Sequence, residues 1–251
     1  MCGCNVYKNH GVVTVVKKIF YVILTLFLWL LLDEETQVLA MNMGFSTTRM
    51  ELNAQQEFLE NIALRRIDDA PRKTAIECFD VNENELIAIG TEIAEKKYVS
   101  IYNTEGMFQY GYAFQSNGAF DVQWDADDVL IYFVRSDVAA AFDAQGACIW
   151  MRRIENTAEN DAYWNHVVRA RQKEVGTNRY LVRNDMGVFN LFASAYGQLI
   201  KFDETGNETV LYDVTAMQKT RIMTATIGVL LLGACIVWIL GRYVLKMREG
   251  L

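Results

Sequence analysis

Three six-residue stretches decide the fold: IYNTEG at 101–106, AFDAQG at 141–146 and KFDETG at 201–206. Each runs from an aromatic residue to Asn or Asp, then two residues, then Gly. An Asn or Asp side chain can bond back to its own turn, and glycine accepts positive φ. The spacing therefore predicts a tight turn between antiparallel strands. The flanks extend the pattern. Phe79-Asp80-Val81 is echoed by Phe120-Asp121-Val122, and Leu86-Ile87-Ala88-Ile89 by Val129-Leu130-Ile131-Tyr132. Each unit then reads as four short strands over about 40 residues, as in a propeller blade. A series of unrelated hairpins would produce the same turns.

The third unit departs from this spacing. Gly206 stands 60 residues after Gly146, whereas Gly146 stands 40 after Gly106. The extra length holds candidate short helices at 162–171 and 185–195, with a strand in GTNRYLVRND (176–185) between them. The expected fold class is a mainly β extracytoplasmic domain of three four-stranded propeller-like units, open or incomplete, flanked by two transmembrane α-helices. Three units are fewer than the usual four to eight blades. They leave an open curved sheet, a stack closed by a partner, or a dimer that shares blades.

The ends of the chain are apolar. Ile222–Leu240 reads IMTATIGVLLLGACIVWIL, 19 residues without a charge, followed by Arg242, Lys246 and Arg248. That length and its basic flank predict a membrane span over 222–241. Ile19–Leu32 is charge-free for 14 residues. Counting from Val12 extends it to a span over 12–32, with Lys17 and Lys18 near one end, where their stems reach the head groups. A signal peptide cleaved after Ala40 is the competing reading. Lysines before the first span and acids after it place both termini, 1–11 and 242–251, in the cytoplasm and the β-domain outside the cell.

Between the spans, 33–70 reads as a polar linker with a helix over about 48–67 that sets Leu52, Leu59 and Ile62 on one side. Pro71, the one proline of the chain, marks the start of the β-domain at 71–219. The ends hold six of the 24 basic residues and one of the 31 acidic ones, which leaves 33–221 with 18 and 30, a net of −12. A domain this acidic has no basic stripe for phosphates, so nucleic acid is excluded as a partner. Five cysteines at 2, 4, 78, 148 and 235 form no CxxC pair. Cys78 and Cys148 either pair or stay as free thiols, and Cys2 and Cys4 are candidates for lipidation beside a membrane.

The four-strand units with their aromatic-[Asn/Asp]-x-x-Gly turns resemble β-propeller repeats of the NHL and WD-like kind. The order of an N-terminal span, such a domain, the segments VRNDMGVFNLFAS (182–194) and YDV (212–214) and a C-terminal span is similar to a group of uncharacterised two-span membrane proteins of Gram-positive, Clostridia-type bacteria. The resemblance covers nearly the whole chain. It implies architecture and carries no activity, cofactor or site residue.

No motif for chemistry is present: neither GxSxG, HExxH, a P-loop nor GxGxxG occurs. His166 stands alone among aromatics, and His10 lies in the N-terminal tail, so no metal ligand set is expected. Asp125, Asp127 and Asp128 read as acidic turn residues, since a calcium loop needs further oxygen ligands and usually a glycine. Trp124, Trp150, Tyr163 and Trp164 are candidate partner-binding aromatics, with burial in the core as the alternative. The expected function is a membrane-anchored binding or scaffold module without catalysis or cofactor. Its partners are the lipid bilayer and a protein partner or a second copy of the chain. A ligand sensor that signals through a cytoplasmic partner and an enzyme of unrecognised type are the alternatives.

Overall fold

The computed structural model describes residues 44–249. The expected first span at 12–32, the tail before it and the cleavage site at Ala40 lie outside the described residues.

The chain begins with β1 (Thr47–Arg49), α1 (Leu52–Ile62) and β2 (Arg65–Ile67). Three meanders follow. The first holds β3 (Ile76–Val81), β4 (Ile87–Ile93), β5 (Lys96–Tyr102) and β6 (Phe108–Gln115). The second holds β7 (Phe120–Asp125), β8 (Asp128–Phe133), β9 (Val138–Phe142) and β10 (Cys148–Ile154). After α2 (Ala158–Tyr163) and a π-helical turn at Trp164–Val168, the third holds β11 (Gln172–Val175), β12 (Asn178–Arg183), β13 (Gln198–Phe202) and β14 (Glu208–Asp213). A 3₁₀ turn at Gly187–Phe192 lies between β12 and β13, and α3 (Thr215–Glu249) ends the fold. All pairings are antiparallel, and β2 and β1 add a fifth strand to the first and second sheets. The domain is thus mainly β, with open sheets that fit propeller-like units.

The three diagnostic turns share one geometry, each between the last two strands of its sheet. Asn103 Oδ1 accepts from the backbone N–H of Glu105 and Met107, Asp143 Oδ1 from Gln145 and Ala147, and Asp203 Oδ1 from Thr205 and Asn207. The closing glycines have φ of 73°, 88° and 83°. The strand echoes fare differently. Ile87 pairs with Tyr102 and Val129 with Phe142, each partner one residue before its turn. Ile87 is therefore the counterpart of Val129, where the sequence echo sets Leu86 there. A slip of one residue exchanges the two faces of a strand. In the same frame Phe79, opposite Ile89, matches Val122, opposite Ile131, and not Phe120.

Packing explains why the strands read as apolar runs rather than alternations. The first and second sheets face each other across a core that includes Ala88, Val99, Ile101, Phe114, Val129, Ile131 and Phe133. The other face of the first sheet presents Ile87 and Ile89 to Tyr180, Val182 and Leu199 of the third. The other face of the second presents Leu130 and Tyr132 to Val168, Phe45, Tyr163 and Trp164. Sheets buried on both faces lose the hydrophobic-in, polar-out rhythm. On the far side of the third sheet, register aligns Leu181, Ile200 and Val210, and exposure rises across it: Ile200 is buried, Leu181 half-buried and Val210 exposed.

The linker expected without strands contributes β1 and β2, three residues each, as edge strands. Its helix is shorter than the expected 48–67. Ala54, Phe58, Leu59 and Ile62 of α1 meet the core between the first two sheets, and Phe58 stacks edge-on to Phe133 at 5.0 Å. Leu52, expected on that side, is exposed. The helix stops where Ala63 turns left-handed (φ 45°) and donates its N–H to Leu59 O.

Among the described residues, one helix is long and apolar enough to cross a membrane, Thr215–Ile236 within α3. Met223, Ile227, Val229–Leu232 and Ile236 stand exposed around it. An apolar surface on all sides is what a bilayer accepts and water does not. The helix starts seven residues before the apolar run. A single buried residue, Val214, separates it from β14, and Asp213 Oδ1 accepts from Thr215 N at 2.8 Å.

Candidate functional site

The first strands of the three sheets meet at one seam, and charge collects there. β3 contributes Glu77 and Asp80, β7 Asp121, and β11 Lys173. Asp80 holds all three sheets. Its Oδ2 accepts from Trp124 N at 2.8 Å, and its Oδ1 pairs with the Lys173 ammonium. Lys173 also donates to Val167 O at 2.8 Å, which ties in the π-helical turn. Neither charge is left unpaired where water is scarce.

At the start of β3 the seam opens into a cleft of about 330 Å³ lined by Glu77, Glu92, Lys97, Asp121, Arg169 and Arg171, with Phe120 and Tyr196 as apolar walls. Lys97 is ion-paired to Glu92 and lies 5.8 Å over the Phe120 ring. Arg169 Nε meets Asp121 Oδ2 at 3.3 Å. Burial raises the Asp121 carboxyl to about 6, against the pull of Arg169 and Lys173. Glu77 opens to solvent through the mouth of the cleft, yet surrounding protein desolvates it. Burial first, then Glu92 and Asp121, raise its carboxyl above the usual range. A carboxyl pushed toward neutral pH and the two guanidinium groups of Arg169 and Arg171 can hold a small polar or zwitterionic group. The same balance of acids and bases also serves as a plain seam between sheets.

Cys78 lines this cleft as a buried free thiol whose ionisation burial opposes, and Cys148 is free as well. No group of three or more His, Cys, Asp or Glu that could hold a metal is found among the described residues. His166 is exposed on the π-helical turn. Asp125 and Asp127 are exposed at the β7–β8 turn, where Asn84 donates to Asp127 at 3.2 Å.

Of the four candidate partner-binding aromatics, three come together. Trp150, Tyr163 and Trp164 all pack against the outer face of the second sheet. Trp164 stacks edge-on to Tyr132 at 5.4 Å and lies under Arg169 at 5.2 Å. The Tyr163 hydroxyl bonds with the Gln123 side chain. Trp124 sits apart, against the core between the first two sheets. All four are half-buried.

Sequence reasoning missed the cleft because its residues come from distant positions. None has a signature spacing, and only the fold of three first strands onto one line joins them. Searches against protein-family models and curated proteins found no match for this chain.

Proposed function

We propose that the chain is a membrane-anchored binding or scaffold module, with its β-domain outside the cytoplasm and a role as a subunit of a membrane assembly. The observation that carries this reading is the junction between the last sheet and the apolar helix. Only Val214 intervenes, and it is buried with Gln218, whose Nε2 donates to Ala195 O. A joint this short holds the domain in a fixed pose on the bilayer, which suits a platform more than a tethered, freely moving catalyst.

A ligand sensor is the second reading. The charged cleft shares Glu77, Glu92 and Ser194 with a larger cavity at the foot of α3, so an occupant of the first lies close to the base of the helix.

Gentle detergent extraction followed by mass measurement tests the scaffold. The chain is expected to run with another protein or with itself. A lone monomer under several mild detergents sinks that reading. Protease added to intact spheroplasts is expected to digest the β-domain, and survival there with loss in inverted vesicles would reverse the orientation.

A further inference from the structure

The segment Gly187–Phe192 reads GVFNLF, which as sequence looks like core. In the fold it is a 3₁₀ turn in which Phe189 is half-buried and the other three apolar side chains face outward. Val188, Leu191 and Phe192 are 75%, 87% and 67% exposed. Three such side chains within five residues, all turned out, are unusual on a surface that meets only water. The turn is nevertheless held in place. Asn190 clamps it, its side chain accepting from Met186 N at 2.9 Å and donating to Asn184 O at 3.2 Å.

Its position supplies the occupant. The turn lies beside the first turns of α3, and Phe192 shares one cavity with Met217, Arg221, Ile222 and Ala225. Ile222 begins the charge-free run of the span. Phe192 therefore sits beside the point where the helix leaves the polar domain and becomes wholly apolar, with Val188 and Leu191 exposed on the same turn. Arg72, Lys73, Lys219 and Arg221 are exposed around the same end. The cavity at that end is lined by Glu77, Glu92 and Glu95 as well as by Arg72 and Arg221. Aromatic and aliphatic side chains beside exposed cations match the layering of a membrane interface, with apolar groups at the acyl boundary and cations among the head groups.

We propose that Val188, Leu191 and Phe192 form a wedge that enters the interface of the leaflet next to the β-domain. The wedge gives the domain a second contact with the bilayer beside the span. The proposal rests on α3 crossing that bilayer. A rigid domain with two points of contact has a defined tilt.

The test uses the full chain in phosphatidylcholine–phosphatidylglycerol vesicles, with the photoreactive residue p-benzoylphenylalanine placed singly at four positions. Leu191→p-benzoylphenylalanine and Phe192→p-benzoylphenylalanine are expected to give lipid adducts on irradiation, detected as a mass increase of one phospholipid. The same substitution at Leu231, inside the span, is expected to do so, and at Val210, on the far face of the third sheet, to give none. Lipid adducts at Leu231 without any at Leu191 and Phe192 overturn the wedge and leave the span standing. Adducts to a second copy of the chain or to another protein at Leu191 and Phe192 overturn it in favour of a protein contact. Absence of lipid adducts at Leu231 as well overturns the anchor beneath both.

Discussion

Lys173 Nζ lies 3.1 Å from Asp80 Oδ1, and the two side chains are nearly sealed from water, at 13% and 9% exposure. This pair links the third sheet to the first. Through Trp124 N, Asp80 also holds the second. Removing one member of such a pair strands the other charge, which costs about 3–5 kcal/mol. Lys173→Met is expected to lower the unfolding free energy of the full chain by that order. The double variant with Asp80→Asn is expected to recover much of the loss, because no charge then remains buried. Denaturant titration of the three proteins in one detergent decides it. Additive losses would show that the pair is no more than two independent contacts.

The three turns offer a controlled comparison of backbone strain with crowding. Gly206 has φ 83° and open space where a Cβ would go. Gly206→Ala is therefore expected to cost only the left-handed penalty, about 1–2 kcal/mol. Gly106 has φ 73°, and a Cβ there would stand 2.8 Å from the carbonyl oxygen of Leu211 in β14. Its alanine variant must also push the first sheet's turn off the third sheet. Thermal unfolding should show Gly106→Ala the more damaging by a clear margin. Equal losses would mean that the turn moves freely against β14.

Asp121 gives the fold a pH dependence with a definite sign. Its carboxyl titrates near 6 in the folded chain and near the usual 3.8 when unfolded. The folded state therefore binds more protons between those values. Stability from this group is full below about pH 4 and falls as pH rises to about 6, by up to roughly 3 kcal/mol for a shift of this size. Asp121→Asn cannot titrate. Wild type minus variant stability is expected to decrease steadily across pH 4–6 and to level above it. A flat difference would remove Asp121 as the titrating group.

Thiol reactivity should separate the two domain cysteines. Cys78 is buried, and burial raises its thiol well above the ordinary range, whereas Cys148 is half-buried and raised less. A thiolate is the reactive form, so Cys148 is expected to take up maleimide from the native protein long before Cys78. Mass spectrometry of peptides after timed labelling reads this directly. Early modification of Cys78 would mean that the seam between the first two sheets opens.

Much of the fold can be read from local chemistry. The Asn103, Asp143 and Asp203 turns are specified within six residues, and the charge-free stretch from Ile222 announces α3 by length alone. Strand register is harder to read. Ile87 and Val129 are counterparts only by cross-strand pairing, and apolar runs buried on both faces carry no phase to betray a slip. β1 and β2 are three residues long and take their structure from the edges they join. The candidate site was illegible for a further reason: Glu77, Asp121 and Arg169 have nothing to do with one another until three sheets converge. Segment 187–192 was legible as part of a candidate short helix at 185–195 but not as an outward-facing turn, because burial is a property of the packed chain.

The single residue Val214 between β14 and α3 makes helical phase a coordinate of the whole domain. A helix turns about 100° and rises 1.5 Å with each residue. One residue inserted after Val214 would swing the β-domain through roughly that angle about the axis of α3, carrying the 187–192 turn and the cleft to another side. Four residues would nearly restore the heading but shift the domain about 6 Å along the helix axis. The junction thus sets both compass bearing and height, so the pose of the domain on its helix is fixed by a count of residues.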